Sequence, residues 1–292
     1  PMKPTTPKTF LVGRTLPNAD QVEAYLQHTG QEDYGIEWSE SDYLDEARLV
    51  SMFAKMCYKS LVVGKNENIS KVRDTEGNIK GVIKSGHGSV LEHIVFNFIT
   101  TGCSRVFTHE LVRHRVGTAF SQTSGRYCRI TEDMEMVLPP EFQDPEIVGK
   151  VANLCDTVYQ SVEELEDYLG LNGFDRLLET RYRGLNLSEN QIAATHGFTW
   201  SDTEGWVLPF SRKKKLTSSI RRIAPNGQAN EIAWSANWRS LRHLIEMRTS
   251  RHAEWEIRHV FNEVAELVPS WVLWGGEEER VDDLIEYTNL KV

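Results

Sequence analysis

The run from about Arg239 to Val268 constrains this chain most, because it keeps helical spacing far longer than any other segment. Unbroken, such a helix is a rod about 45 Å long at 1.5 Å per residue. Leu241, Leu244 and Ile245 define its apolar stripe, which must be buried against a sheet or other helices. Steps of three and four residues along that stripe reach Arg248 and His252, then Trp255 and Glu256. An unpaired buried charge is strongly destabilising, so Arg248 needs an anionic or hydrogen-bonding partner. On the helix alone, an internal ion pair with Glu92, Glu246 or Glu256 is favoured over a functional role.

What else the chain offers that helix is mixed. The spacing predicts a first helix from Asp42 to about Leu61, with Leu44, Ala47, Leu49, Val50, Phe53, Ala54, Met56 and Cys57 on its apolar face. Residues 62–80 read as loop, then a short helix into Ile83. His93–Thr100 is rich in β-branched and aromatic residues and reads as a strand, ended by Thr101-Gly102. Helical spacing follows over 103–115, then a loop through Gly117 and Gly125, then a strand from Tyr127 to Val137. Val151, Leu154, Cys155, Val158, Tyr159, Val162 and Leu165 mark an amphipathic helix. Residues 170–210 show no period and read as an insertion. A basic helix over 212–223 and a short strand at Glu231–Ser235 precede the long helix. The expected fold is α+β, a mixed sheet flanked by long helices. A single catalytic domain over 1–292 is expected, with residues 1–40 as an N-terminal arm and 170–210 inserted.

Charge and cysteine usage narrow the class. The chain of 292 residues has 33 Lys+Arg against 42 Asp+Glu, a net charge of −9, which argues against a nucleic-acid coat or a polybasic membrane anchor. That acidity is peripheral: residues 31–46 hold seven acidic and no basic side chains, and 276–292 six acidic and two basic. No apolar run approaches the roughly 18 residues of a membrane span. Pro1-Met2-Lys3-Pro4-Thr5-Thr6-Pro7 lacks the apolar core of a secretion signal, so a cytoplasmic location is expected. Cys57, Cys103, Cys128 and Cys155 are scattered without metal-ligand spacing and read as reduced, mostly packed thiols.

Three segments carry more chemistry than a bland surface needs. Arg113-His114-Arg115 closes the 103–115 helix, where the macrodipole alone would favour cations. It is followed by Ser121-Gln122-Thr123-Ser124-Gly125-Arg126-Tyr127, a loop of hydroxyl, amide and guanidinium donors suited to a phosphate or to a hydrogen-bonded turn. Gly86-His87-Gly88-Ser89-Val90-Leu91-Glu92-His93 precedes the strand without the HExxH zinc spacing, so no metal is expected. Arg212-Lys213-Lys214-Lys215, then Arg221-Arg222, reads as a solvated helix face with one Arg turned inward.

Taken together and in this order, these segments resemble the flavin-dependent thymidylate synthases. The resemblance rests on Gly86–His93, on Arg113–Arg115 with Ser124 and Arg126-Tyr127, on Arg221…Pro225, and on Asn237 to Arg258. It implies a homotetramer with FAD at subunit interfaces, using NADPH and 5,10-methylenetetrahydrofolate to methylate C5 of dUMP. It implies flavin contacts at His87, Ser89, Arg113, His114, Arg115, Gln122, Asn237, Arg239 and His243. Substrate contacts fall on Glu110, Arg113, Gln122, Thr123, Ser124, Gly125, Arg126, Arg221 and Arg248, with Arg248 as the catalytic Arg that polarises the uracil. A preorganised Arg stabilises negative charge developing on that ring. The hydride comes from the cofactor, so no cysteine nucleophile is required.

The chain also departs from the family pattern. Arg115 to Ser124 is one residue longer than is usual, Gln122 stands where Glu is frequent, and Glu110 stands where Gln is common. A longer loop leaves room for a 2′-hydroxyl, which makes UMP the alternative substrate. A non-catalytic nucleic-acid-binding or regulatory protein using Lys213–Lys215 is the second alternative.

Overall fold

A computed structural model describes residues 2–35, 45–131 and 133–292. The described residues group into two compact units. The larger comprises Pro7–Thr101, Phe107–Ser121 and Ile232–Val292; the smaller comprises Pro1–Thr6, Gly102–Val106 and Gln122–Glu231.

The larger unit is organised on a four-stranded sheet in the spatial order Lys8–Arg14, Val95–Ser104, Ala229–Asn237, Thr118–Gln122. The segment expected to be an arm thus supplies an edge strand, antiparallel to Val95–Ser104. A bare edge strand would invite further pairing. Here the helix Trp255–Leu267 covers it: Glu263 accepts from Thr9 N at 2.9 Å and from Lys8 Nζ at 3.1 Å. The expected strand at 93–100 is real but shifted. His93 closes a 3-10 turn over Gly88–His93, and the strand itself spans Val95–Ser104, passing through Gly102 at φ 64°. Aromatic rings fill the core: Trp234 stacks on Phe98 at 4.4 Å and donates from Nε1 to Thr100 Oγ1 at 3.1 Å. The first helix is described from Asp45 to Cys57; the expected residues Asp42 and Leu44 lie outside the described residues. The short helix toward Ile83 spans Thr75–Lys84.

The long C-terminal helix is two helices, Trp238–Thr249 and Trp255–Leu267. Side-chain oxygens cause the break by competing for backbone groups. Thr249 Oγ1 donates to Ile245 O at 2.7 Å and accepts from Tyr287 N at 3.1 Å, tying the end of the first helix to a strand. Glu254 then caps the second, accepting from Glu256 N and Ile257 N. His252 therefore leaves the stripe and is exposed, whereas Arg248, one residue before Thr249, stays on it. Arg242 is the fully buried cation of this helix. It donates to Leu290 O at 2.8 Å and Val272 O at 2.5 Å, and burial pulls its pKa down to about 10.

In the smaller unit, Lys3–Thr5 pairs in parallel with Glu135–Val137. The strand expected over 127–137 is confined to that short segment; a turn occupies its start, where Tyr127 N and Cys128 N both donate to Ser124 O. The amphipathic helix spans Pro145–Leu169, longer than its apolar markers suggest, begun by Asp144 and stopped by Gly170 at φ 81°. Residues 170–210 hold two short helices, Phe174–Arg181 and Glu189–His196, and a hairpin of Thr199–Ser201 with Gly205–Val207. Phe174, Leu177, Ile192 and Phe198 bury themselves against Val162, Leu216 and Ile220, so this stretch shares a core with the helices on either side. The basic helix spans Phe210–Ile220. Among the cysteines, Cys103 and Cys155 are buried, while Cys57 and Cys128 are exposed rather than packed. Among the described residues, no helix is long and apolar enough to cross a membrane.

Candidate active site

Asn237 ends the strand Ala229–Asn237 and begins the helix that carries Arg239, His243 and Arg248. Its Oδ1 accepts from Ser240 N at 2.8 Å, and its own N–H donates to Gly117 O at 2.8 Å. Ser240 Oγ donates to Val116 O at 2.6 Å. The helix start and the loop after Arg113-His114-Arg115 are thereby fixed to each other. The turn works only with glycine at 117: φ is 66°, and a Cβ there would overlap Asn237 Nδ2 and stand 2.5 Å from Ser240 Oγ. Asn237, expected as a flavin contact, spends its side-chain oxygen on this cap.

Between these elements lies a cavity of about 580 Å³, lined by Glu92, Arg113, His114, Arg115, Val116, Thr118, Arg239, Ser240, His243, Leu244, Lys291 and Val292. Five expected cofactor residues meet here: Arg113, His114, Arg115, Arg239 and His243. Three guanidiniums and two imidazoles form a donor set suited to an anionic dinucleotide, and the volume is that of a small-molecule site. Arg239 is oriented by Glu92, 2.7 Å from its Nη1, and by Val292 O, 3.0 Å from its Nε. The structure does not put His87 or Ser89 in this lining. They flank Gly88, whose missing side chain leaves room for Arg239: a Cβ would stand 2.8 Å from its Nε.

Arg248 finds its partner on another element. Its Nη1 lies 2.7 Å from Glu110 Oε2, and its Nε donates to His114 Nε2 at 2.9 Å. None of the three expected partners is used: Glu92 holds Arg239, Glu246 accepts from Leu290 N and Lys291 N, and Glu256 is buried in the second helix. Since Nε2 of His114 accepts, that nitrogen carries no proton. Burial, then the charge of Arg248, then His243 push its pKa down to about 4. The imidazole is neutral at physiological pH and does not compete with Arg248 for an anion. His243 is lowered in the same direction, first by burial.

The expected nucleotide loop lies in the smaller unit. Thr123 N donates to Glu231 O at 2.9 Å, and Ser124 Oγ accepts from Arg126 N at 3.3 Å. Arg221 stands against the loop: its Cβ and Cδ would be 3.5 Å from a Cβ at Gly125, and Arg105 Nη2 3.6 Å. Arg222 instead donates to Ser218 O. Gln122, Thr123, Ser124, Gly125, Arg126 and Arg221 are thus gathered within this unit, together with Arg105. Sequence reasoning missed Arg105. Its signal was a cation at the first position of the helix Arg105–Leu111, where the macrodipole disfavours one. Burial, then the charge of Arg221, lowers the pKa of Arg105. The inward-turned Arg of the basic run is Arg212, while Lys214 lies over the Tyr127 ring at 4.7 Å.

The family model described as thymidylate synthase complementing protein matches residues 41–272. A flavin-dependent thymidylate synthase of Mycobacteroides abscessus is 32% identical over 240 residues, 80% of this chain and 81% of that protein. One from Mycobacterium avium is 32% identical over 213 residues, covering 73% and 71%. A crystal structure of thymidylate synthase X from Helicobacter pylori, with FAD and dUMP, aligns over 77% of this chain and 89% of that one, at 19% identity and TM-score 0.44. With the family match spanning most of the chain and a relative 32% identical over 80% of it, this chain belongs to the flavin-dependent thymidylate synthase family.

Proposed function

We propose that this protein methylates dUMP to dTMP at C5 of the uracil. The observation that carries the reading is the triad of Arg248, Glu110 and His114, which delivers an oriented guanidinium beside a cavity of cationic donors. When bound, FAD supplies the hydride, drawn from NADPH, and 5,10-methylenetetrahydrofolate supplies the carbon. The chain's residues bind and polarise. Arg113 and Arg115 would hold the anionic cofactor through bidentate donors, and Arg239 through the donors that its bonds to Glu92 and Val292 O leave over. In the smaller unit, Arg105, Arg221 and the loop at Ser124–Arg126 offer donors suited to a phosphate. Arg248, anchored through Nη1 and Nε, presents its Nη2 edge, which makes only a 3.5 Å contact with Glu110 O, to the uracil carbonyl. Charge accumulating on the ring as C5 becomes nucleophilic is then met by a preformed cation. The neutral His114 keeps that cation in place without adding a second charge.

A homotetramer and a cytoplasmic location belong to the same reading and rest on the family resemblance. The relatives' shared name favours the deoxyribonucleotide over UMP. The test is the visible spectrum of the purified protein, followed by parallel turnover of dUMP and UMP with NADPH and 5,10-methylenetetrahydrofolate. Flavin absorbance and conversion of dUMP in preference to UMP support the reading. Protein that stays inactive on both nucleotides after FAD is added refutes it.

A further inference from the structure

A second polar cavity, of about 380 Å³, lies in the larger unit between the helices Asp45–Cys57 and Thr75–Lys84 and the segment joining them. Lys55, Lys71, Arg73 and His87 line it, and among the described residues no carboxylate does; Asp33 and Asp74 line a neighbouring cavity that shares Lys55 and Arg73. Nothing in the catalytic reading uses Lys55, Lys71 or Arg73.

Lys55 is the most unusual of these. It is only 4% exposed and makes no ion pair among the described residues; its ammonium lies 3.2 Å from the Tyr34 hydroxyl and over that ring. Asp74, the acid whose charge it feels, has its carboxylate engaged as the cap of Thr75–Lys84, accepting from Gly77 N at 2.6 Å. Burying that ammonium is costly, and an incoming anion adds to the attraction of Asp74 in offsetting the cost. Burial lowers its pKa to about 8, which leaves it mainly charged at neutral pH. Arg73 lies along the next helix where glycine permits: a Cβ at Gly81 would stand 3.0 Å from its Nη1.

Neighbouring residues wall the two cavities. His87 lines this one, and the next residue, Gly88, abuts Arg239 in the wall of the flavin cavity. Gly88 itself is buried, whereas His87 and Ser89 on either side of it are exposed, so the route from the larger cavity to the smaller one runs over those two residues.

We propose that the Lys55–Lys71–Arg73 pocket binds the multiply charged anionic tail of a co-substrate whose reacting ring lies in the flavin cavity. This rests on the methylase reading, which supplies two co-substrates with such tails: the glutamate carboxylates of the folate and the 2′-phosphate of NADPH. Both present clustered oxyanions to the same donors. The pocket discriminates by charge and leaves the chemistry to the other cavity.

The experiment is calorimetric titration of the flavin-loaded protein and of its Lys71→Glu/Arg73→Glu variant at two salt concentrations. Both residues are exposed, so the fold tolerates the change, and circular dichroism and flavin absorbance check that it does. The probes are 5-formyltetrahydrofolate as monoglutamate and triglutamate, and NADP⁺ beside NAD⁺. The expected result is a preference of about tenfold or more, roughly 1.4 kcal/mol, for the more charged member of one pair, falling with salt and absent in the variant. Loss of the triglutamate preference assigns the pocket to the folate, and loss of the NADP⁺ preference to the dinucleotide. A flavoprotein that methylates dUMP but shows neither preference, or keeps its preference in the variant, overturns the pocket alone. A protein that binds no flavin and methylates neither nucleotide overturns both readings.

Discussion

Replacing Glu110 tests how the active-site guanidinium is held. Glu110 Oε2 lies 2.7 Å from Arg248 Nη1, and the two side chains are 31% and 16% exposed. Hydrogen bonds to charged groups contribute roughly 1.5–3 kcal/mol when formed, against about 1 kcal/mol for neutral ones. Glu110→Gln keeps an acceptor oxygen and removes the charge, so it should destabilise the fold by about 1 kcal/mol, only a few degrees in Tm for a chain of this size. Glu110→Ala removes the acceptor as well. Arg248 then keeps its Nε bond to His114 and the long contact to the backbone oxygen at 110, and can swing about the Nε bond. Displacing a catalytic group by about 1 Å costs on the order of a hundredfold in rate. The expected order of kcat/KM for dUMP is therefore wild type, then Gln about tenfold lower, then Ala about a hundredfold lower, with flavin content unchanged. Steady-state turnover with the flavin absorbance of each sample decides it. Equal kcat/KM in all three proteins refutes the anchoring role, and a loss that tracks flavin content places Glu110 in the fold instead.

Three further outcomes follow from the geometry. His114 should titrate near 4 by NMR, from its unfolded value near 6.5. The unfolded chain then binds more protons than the folded one between those values. The stabilisation this gives, up to about 3 kcal/mol, is present above pH 6.5 and is lost as pH falls toward 4; urea unfolding at pH 7 and pH 4.5 measures it. Gly117→Ala should cost about 1–3 kcal/mol through the left-handed backbone and the collision with the Asn237 cap, read as a lowered Tm together with lost flavin. Arg105→Ala and Arg221→Ala should each raise KM for dUMP about tenfold while leaving kcat within a few-fold, and should flatten its salt dependence; an unchanged KM in both would remove them from the phosphate site.

The residues that disclosed the family were those whose types are rare at their positions. Arg248 stood out because a cation lay in line with Leu241, Leu244 and Ile245, and it does sit on that face. Its partner was not legible, because Glu110 is 138 residues away and only the fold brings them together. The break after Thr249 escaped periodicity for a related reason: apolar spacing resumes at Trp255, and the interruption is made by hydrogen bonds of Thr249 and Glu254, which leave no gap in the pattern. The missing period of 170–210 concealed two helices, each too short to show one. Over 127–137, the start of the expected strand gives way to the turn at Ser124, which takes the amides of Tyr127 and Cys128.

The central claim is that Arg248 acts on the nucleotide and not on the fold or the flavin. Its most direct test is Arg248→Ala, followed in one experiment for bound flavin, for flavin reduction by NADPH, and for dTMP formed from dUMP. The account predicts a yellow protein that NADPH still reduces, with dTMP formation down by a hundredfold or more, in the range seen when one preorganised charge-stabilising donor is removed, about 10²–10³. Formation of dTMP at the wild-type rate would contradict it.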